Sequence, residues 1–279
     1  MICLKKPLIK ILLVLVIQMK VYFAPRSRAV RTVWLLEEIG KPYELERFTL
    51  GQKEMRGPQY TKINPNGRVP TLVDGNTTIT ESTAIAQYLG AKYAPELTPG
   101  PDAENFATYL QWLNYAEGMI MPPINNYVVE TILLPPERRN EEIAARSLKL
   151  LNRTLGAVEG HMEGQSFLAG NFTVADTITG HAIIMSRRLG ADFSDCPNLN
   201  AYANRLEERD AFNLLRQVNG VGPRIALAAL SGLNIDTNHG ALSQGDAAVL
   251  TQVSGIGKRL AERMCLELQT KIPAAIVPL

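Results

Sequence analysis

Hydrophobic and polar positions change their rhythm several times along this chain. "KVYFA", from Lys20, alternates polar and apolar as a half-buried strand does. In "SRAVRTVWLLEEIG", Val30, Val33, Trp34 and Ile39 recur at helical spacing and Gly40 follows as a C-cap, which predicts a helix. "YELERFTL" reads as a second strand. "INPNGRVPTLVDGNTTITES" holds two short strands around Asp74-Gly75, a strong hairpin turn pair. "ESTAIAQYLGAKYA" closes the module as a helix. The order is strand–helix–strand, then strand–strand–helix.

From about Glu104 to Leu214 the pattern is helical throughout, with interruptions predicted at Pro122-Pro123 and Pro135-Pro136. Thr173 to Asp176 form a T-x-x-D helix-start pattern, whose hydrophobic staple partner, Thr177 opposite Phe172, is poorly apolar. Trp34 and Trp112 are expected in the core.

The last part of the chain repeats itself. "VNGVGPRIALAALSGL" begins at Val218, and "VSGIGKRLAERMCLEL" begins at Val253, 35 residues on. Each has a Val-x-Gly-Val/Ile-Gly frame ahead of a helical stretch. Gly220 and Gly222, then Gly255 and Gly257, permit sharp turns between short helices. Amides at such a turn face an anion, and a DNA phosphate fits. In the second copy Lys258 and Arg259 add charge, whereas in the first Pro223 removes an amide donor. The other reading of both turns is helical packing alone.

Composition narrows the picture little. A chain of 279 residues, 46% hydrophobic and 20% charged, reads as an ordinary globular protein, and its net charge of +2 lacks the basic balance of a dedicated DNA coat. Cys3, Cys196 and Cys265, with His161, His181 and His239, show no ligand spacing, so neither a metal site nor a disulfide frame is expected. A reduced, cytoplasmic setting fits. "MICLKKPLIKILLVLVIQ" stands ahead of a second methionine, Met19, and its apolar run is too short for a bilayer span of roughly 20 residues. It reads as an N-terminal extension, with a weak membrane-surface anchor and a cleaved signal as alternatives.

Three of these stretches, "APRSRAVRTVWLLEEIGKPYE", "INPNGRVPTLVDG" and "ESTAIAQYL", together resemble the thioredoxin-like domain of cytosolic glutathione transferases. The likeness extends through "YLQWLNYAEGMIMPPI" and "FLAGNFTVADTITGHAI" to about Phe212. It implies a homodimeric enzyme that conjugates glutathione, as co-substrate, to an electrophilic small molecule without a further cofactor. By the same resemblance Pro70 is cis, although proline physics alone reads it as a turn residue, and Val69 pairs with the cysteinyl backbone of glutathione. Glu81 and Ser82 hold its γ-glutamyl end, and Lys53 or Arg56 its glycyl carboxylate. The thiolate is the nucleophile. Ser27 is the candidate hydroxyl donor to it, and Arg28 competes for that role. Tyr115 and Met119 are candidates for the electrophile side or for core.

The doubled G-x-G segment, about Leu214 to Lys271, resembles the middle domain of the Holliday-junction-binding subunit RuvA. That implies paired helix-hairpin-helix motifs on a DNA backbone, here without the barrel and helicase-binding domains of that family. Residues 216–279 carry six basic and four acidic side chains, so only weak, salt-sensitive binding is expected. The expected architecture is therefore α/β plus all-α. Residues 1–18 form an extension, 19–95 a thioredoxin-like domain, 104–214 an all-helical transferase domain and 215–279 a small helix-hairpin-helix domain. The two signatures meet without a Gly/Ser-rich or Pro-rich spacer, as in a gene fusion. The competing function is a RuvA-like DNA-binding module on an inactive transferase-like scaffold.

Overall fold

The alternation in the first strand becomes one buried face of an interior strand. In β1 (Met19–Phe23) the residues Met19, Val21 and Phe23 are buried and the two between them are half-exposed. The computed structural model describes residues 19–217 and 246–250. β1 pairs in parallel with β2 (Glu44–Arg47) and antiparallel with β3 (Thr71–Asp74), which pairs antiparallel with β4 (Thr77–Thr80). The sheet order is β2-β1-β3-β4. Between β1 and β2 runs α1 (Ala29–Ile39), which buries Val33, Trp34, Leu35 and Leu36. Gly40 ends it at φ 69, the left-handed cap that its position predicts. A short helix α2 (Pro58–Thr61) precedes β3, and α3 (Ser82–Tyr93) follows β4 and packs on α1.

The hairpin between β3 and β4 turns at Asp74-Gly75 as expected. Asp74 also staples the hairpin to α3. Its carboxylate accepts hydrogen bonds from Tyr93 at 2.6 Å, Tyr88 at 2.7 Å and Lys92 at 2.8 Å.

The helical part comprises α4 (Phe106–Tyr115), α5 (Met121–Val128), α6 (Glu141–His161), α7 (His181–Arg188), α8 (Pro197–Glu207) and α9 (Asp210–Gln217). A four-residue helix, α10 (Ala247–Leu250), lies in the later described segment. The interruption predicted at Pro122-Pro123 is not a break. A π-helical turn, Ala116–Ile120, carries α4 into α5, and the prolines stand in the first turn of α5, where a missing N–H costs little. At Pro135-Pro136 the helix does stop, in a 3₁₀ turn over Pro136–Arg138.

Asp176 performs the capping that T-x-x-D predicts. It accepts from the Thr173 N–H at 2.8 Å, and it reaches further, to the Leu168 N–H at 3.1 Å and the Tyr202 hydroxyl at 2.7 Å. Phe172, whose staple partner Thr177 is poorly apolar, packs across the fold. Its ring lies 6.4 Å from Trp34 and 5.5 Å from Phe167, with the Arg209 guanidinium 3.6 Å from its centroid.

The sheet module and the helical part share one seam, built on α1. Trp34 is fully buried and meets Phe212 of α9 edge-on at 4.8 Å. Arg209 forks onto Glu38 at 2.6 and 2.8 Å, and Glu38 also accepts from the Trp34 indole N–H. Trp112 is likewise core.

Candidate functional site

Sheet topology alone gathers the candidate residues. β1 and β2 run in parallel and both leave the sheet at one end, after Phe23 and Arg47, which are register partners. β3 enters at that same end, because Thr71 pairs with Tyr22, and β4 leaves there, because Thr80 pairs with Thr71. The segments that carry Ser27 and Arg28, Lys53 and Arg56, Val69 and Pro70, and Glu81 and Ser82 therefore all start or finish at one end of one sheet.

Val69-Pro70 is cis, as the resemblance implies and proline physics alone does not. The segment before it is caged. The Arg68 carbonyl accepts from the Tyr60 hydroxyl at 2.5 Å and from Asn64 Nδ2 at 2.7 Å, and both donors also reach Thr71 Oγ1. Gly67 sits against this cage at φ 58, where a Cβ would lie 2.6 Å from the Met55 carbonyl oxygen. That close approach seats the 3₁₀ turn Lys53–Arg56, with Met55 buried and Lys53 and Arg56 exposed on either side of it.

Glu81 has φ 69 and ψ 118, a conformation that costs a non-glycine residue about 1–3 kcal/mol. Its side chain does not cap α3, although it stands in the cap position. Ser82 beside it is buried at the first position of the helix. An exposed acid held in a costly conformation, next to a buried hydroxyl at a helix N-terminus, suits a zwitterionic amino-acid end: ammonium on Glu81, carboxylate on the helix amides.

Ser27 is half-buried, and its hydroxyl donates to the Ala24 carbonyl at 2.6 Å while accepting from the Ala29 N–H at 3.2 Å. It thus caps the first turn of α1, and rotation about one bond frees its proton for a ligand. The neighbouring Arg28 bonds Glu117 of the π turn at 2.5 Å. Neither α1 nor α3 has an acid in its first turn. With Lys53 and Arg56 opposite, this end of the sheet favours an anionic ligand.

Comparison with known proteins gives the arrangement a family. Residues 17–91 match the glutathione S-transferase N-terminal domain and residues 120–210 its C-terminal domain. Glutathione S-transferase 4 of Zea mays is 30% identical over 197 residues, covering 69% of this chain and 88% of that protein. The chain belongs to the glutathione S-transferase family. Among solved transferases, the theta-class enzyme of Xanthomonas axonopodis pv. citri with glutathione bound superposes with TM-score 0.65 at 27% identity, over 71% of this chain and 96% of that one. A glutathione transferase of Methylococcus capsulatus gives 0.64 at 28% identity, over 73% and 100%.

The tail of this family member matches a second family. Residues 212–270 match the SAM-like helix-hairpin-helix tandem. The RuvA subunit of the Holliday junction branch migration complex of Rhodococcus erythropolis is 53% identical over 68 residues, covering 24% of this chain and 34% of that protein. The chain thus spans about a third of the RuvA relative it matches. Gly220, Gly222, Gly255, Gly257, Lys258 and Arg259 lie outside the described residues, as does the extension 1–18.

The transferase fold separates the two electrophile candidates. Tyr115 is turned to the helical core: its ring lies 4.7 Å from Trp112 and its hydroxyl donates to the Thr154 carbonyl at 3.3 Å. Met119 is 48% exposed and open to a ligand. Sequence reasoning missed Tyr60, Asn64, Arg31, Glu117 and His181. Asn64 stands inside the NPNGRVP run and could have been found there. The others are brought together only by the tertiary fold.

Proposed function

We propose that this chain binds glutathione at the shared end of its sheet and conjugates the thiolate to an electrophilic small molecule. The convergence of eight candidate positions on that end carries the reading. Val69 offers backbone to the cysteinyl part, Glu81 and Ser82 take the γ-glutamyl end, and Lys53 or Arg56 takes the glycyl carboxylate. Ser27 donates to the sulfur and Arg28 adds positive charge beside it, which together favour thiolate over a thiol of ordinary pKa about 8.5. Met119 faces the electrophile, and Tyr115 contributes packing behind it. We further propose a cytoplasmic homodimer with domains at 19–95, 104–214 and 215–279. Among the described residues no helix is long and apolar enough to cross a membrane.

The test is calorimetric titration of the whole chain with glutathione, followed by turnover of a chlorodinitrobenzene electrophile. Ser82→Ala is expected to weaken binding by about 1–3 kcal/mol. Ser27→Ala is expected to raise the apparent pKa of the bound thiol and lower kcat, with less effect on binding. An unchanged pH–rate profile there, with a large loss in Arg28→Ala, assigns the role to Arg28.

One observation favours a second reading, a DNA-binding module on an inactive transferase scaffold. The Ser27 proton is already spent on the Ala24 carbonyl. Under that reading the whole chain shifts linear and branched DNA in a gel at low salt, loses affinity steeply with salt, and shows no turnover. Under both readings the double change Lys258→Ala with Arg259→Ala is expected to reduce DNA binding. If it does not, the repeated hairpins are packing elements.

A further inference from the structure

The seam holds a cluster of charged groups that the reading above does not use. Arg28 and Arg31 lie three residues apart on one face of the first turn of α1. Cations there oppose the helix dipole. Arg31 is also fully buried, a costly place for a guanidinium without a counter-charge. One carboxylate answers both. Glu117, on the π turn between α4 and α5, gives one oxygen to Arg31 Nη1 and the other to Arg28 Nη1.

Among the described residues the remaining neighbours supply no second anion. Arg31 Nε donates to His181 Nδ1 at 3.3 Å, and Arg31 Nη2 is buried without a partner among the described residues. Burial first, then the charges of Arg31 and Arg188, hold His181 well below the usual imidazole range, so it is a neutral acceptor. Arg188 itself pairs with Glu207. The other acid bonded from α1, Glu38, is taken by Arg209 near the far end of the helix.

We infer that Glu117 is a positioning residue for the thiolate chemistry: anchored by buried Arg31, its carboxylate reaches across the seam and holds the Arg28 guanidinium beside Ser27. This rests on the transferase reading above. Arg31 fixes one oxygen of Glu117, and so aims the other at Arg28. Two guanidiniums on one carboxylate leave a net positive charge at the N-terminus of α1, where the sulfur anion is to form.

The experiment follows the ultraviolet absorbance of bound glutathione thiolate against pH in the full chain. Glu117→Gln is expected to lower the thiolate fraction at neutral pH several-fold, in the same direction as Arg28→Ala, although the lost negative charge alone would raise it, because misplacing the Arg28 guanidinium outweighs that gain. The double variant is expected to go no further than Arg28→Ala alone, because Glu117 acts through Arg28. Glu117→Gln also strands the charge of Arg31, so it is paired with Arg31→Met. That pair is expected to regain the melting midpoint while keeping the altered titration. A pair that melts normally and titrates like the wild type overturns the inference, and so does a Glu117 effect that adds in full to that of Arg28→Ala. A wild-type chain that binds no glutathione in calorimetry instead refutes the transferase reading, and this inference falls with it.

Discussion

The sheet end and the α1 seam do comparable work by different means. At the sheet end, groups are positioned by backbone: a cis peptide, a left-handed glycine, a strained Glu81 and the first turns of helices. Partners there are close in sequence, as Asn64 is to Arg68 and Thr71. At the seam, positions are held by side chains that meet across the whole chain, such as Arg31 with His181 and Arg209 with Glu38. The framework of the first region is expected to be most sensitive to changes in backbone freedom, and that of the second to changes in side chains.

That contrast can be broken most forcefully at Phe212. Phe212→Ala removes the ring that covers Trp34 and is expected to cost about 3–5 kcal/mol in denaturant unfolding, with unchanged glutathione affinity in the molecules that stay folded. A loss well under 1 kcal/mol would show that the seam is not the structural centre described. Gly67→Ala attacks the other region. Its Cβ would meet the Met55 carbonyl, so the 53–56 turn must shift, at about 1–3 kcal/mol. The glutathione Kd is expected to rise more than stability falls; the opposite order would contradict a binding role for that turn.

Two acid-sensitivity measurements sharpen the comparison. His181 is held below its ordinary value of 6.5 in the fold, so as pH falls the unfolded chain takes up the proton first. Stability is therefore lost progressively below about pH 6.5. His181→Gln can still accept from Arg31 and is expected to remove that part of the slope in unfolding series between pH 5 and 7. Asp74, at the hairpin, loses stability in the same direction but at lower pH and for a different reason. Burial alone would raise it, but donors from Lys92, Tyr93 and Tyr88 outweigh burial and hold it below its ordinary value. Its contribution is present at neutral pH and lost below about pH 4 as the carboxylate is protonated in the fold. Asp74→Asn is expected to lower stability near neutrality slightly and flatten only that lower limb.

The same contrast explains what was legible in the sequence. Strand alternation, Gly40, Asp74-Gly75 and T-x-x-D are local signals, and each is read within a few residues. The sheet-end candidates share short motifs, so the resemblance could carry them residue by residue. Glu117 and His181 carry no local signal. A glutamate in "NYAEGM" and a histidine in "TGHAI" look like ordinary helix residues until α1 is packed between them. Pro122-Pro123 misled for a related reason. Proline predicts that a donor is missing, but whether the helix stops or widens into a π turn depends on what packs around it.

The last transferase helix has a mechanical consequence. The helix-hairpin-helix match begins at residue 212, and Phe212 is buried against Trp34. The two matched regions therefore meet at a residue of the hydrophobic core. A truncation that spares the transferase must fall after Gln217. Force transmitted along the chain from beyond α9 is expected to reach the Trp34–Phe212 contact first. A pull that parts these two rings is expected to open the seam between the sheet module and the helical part before it unravels the sheet.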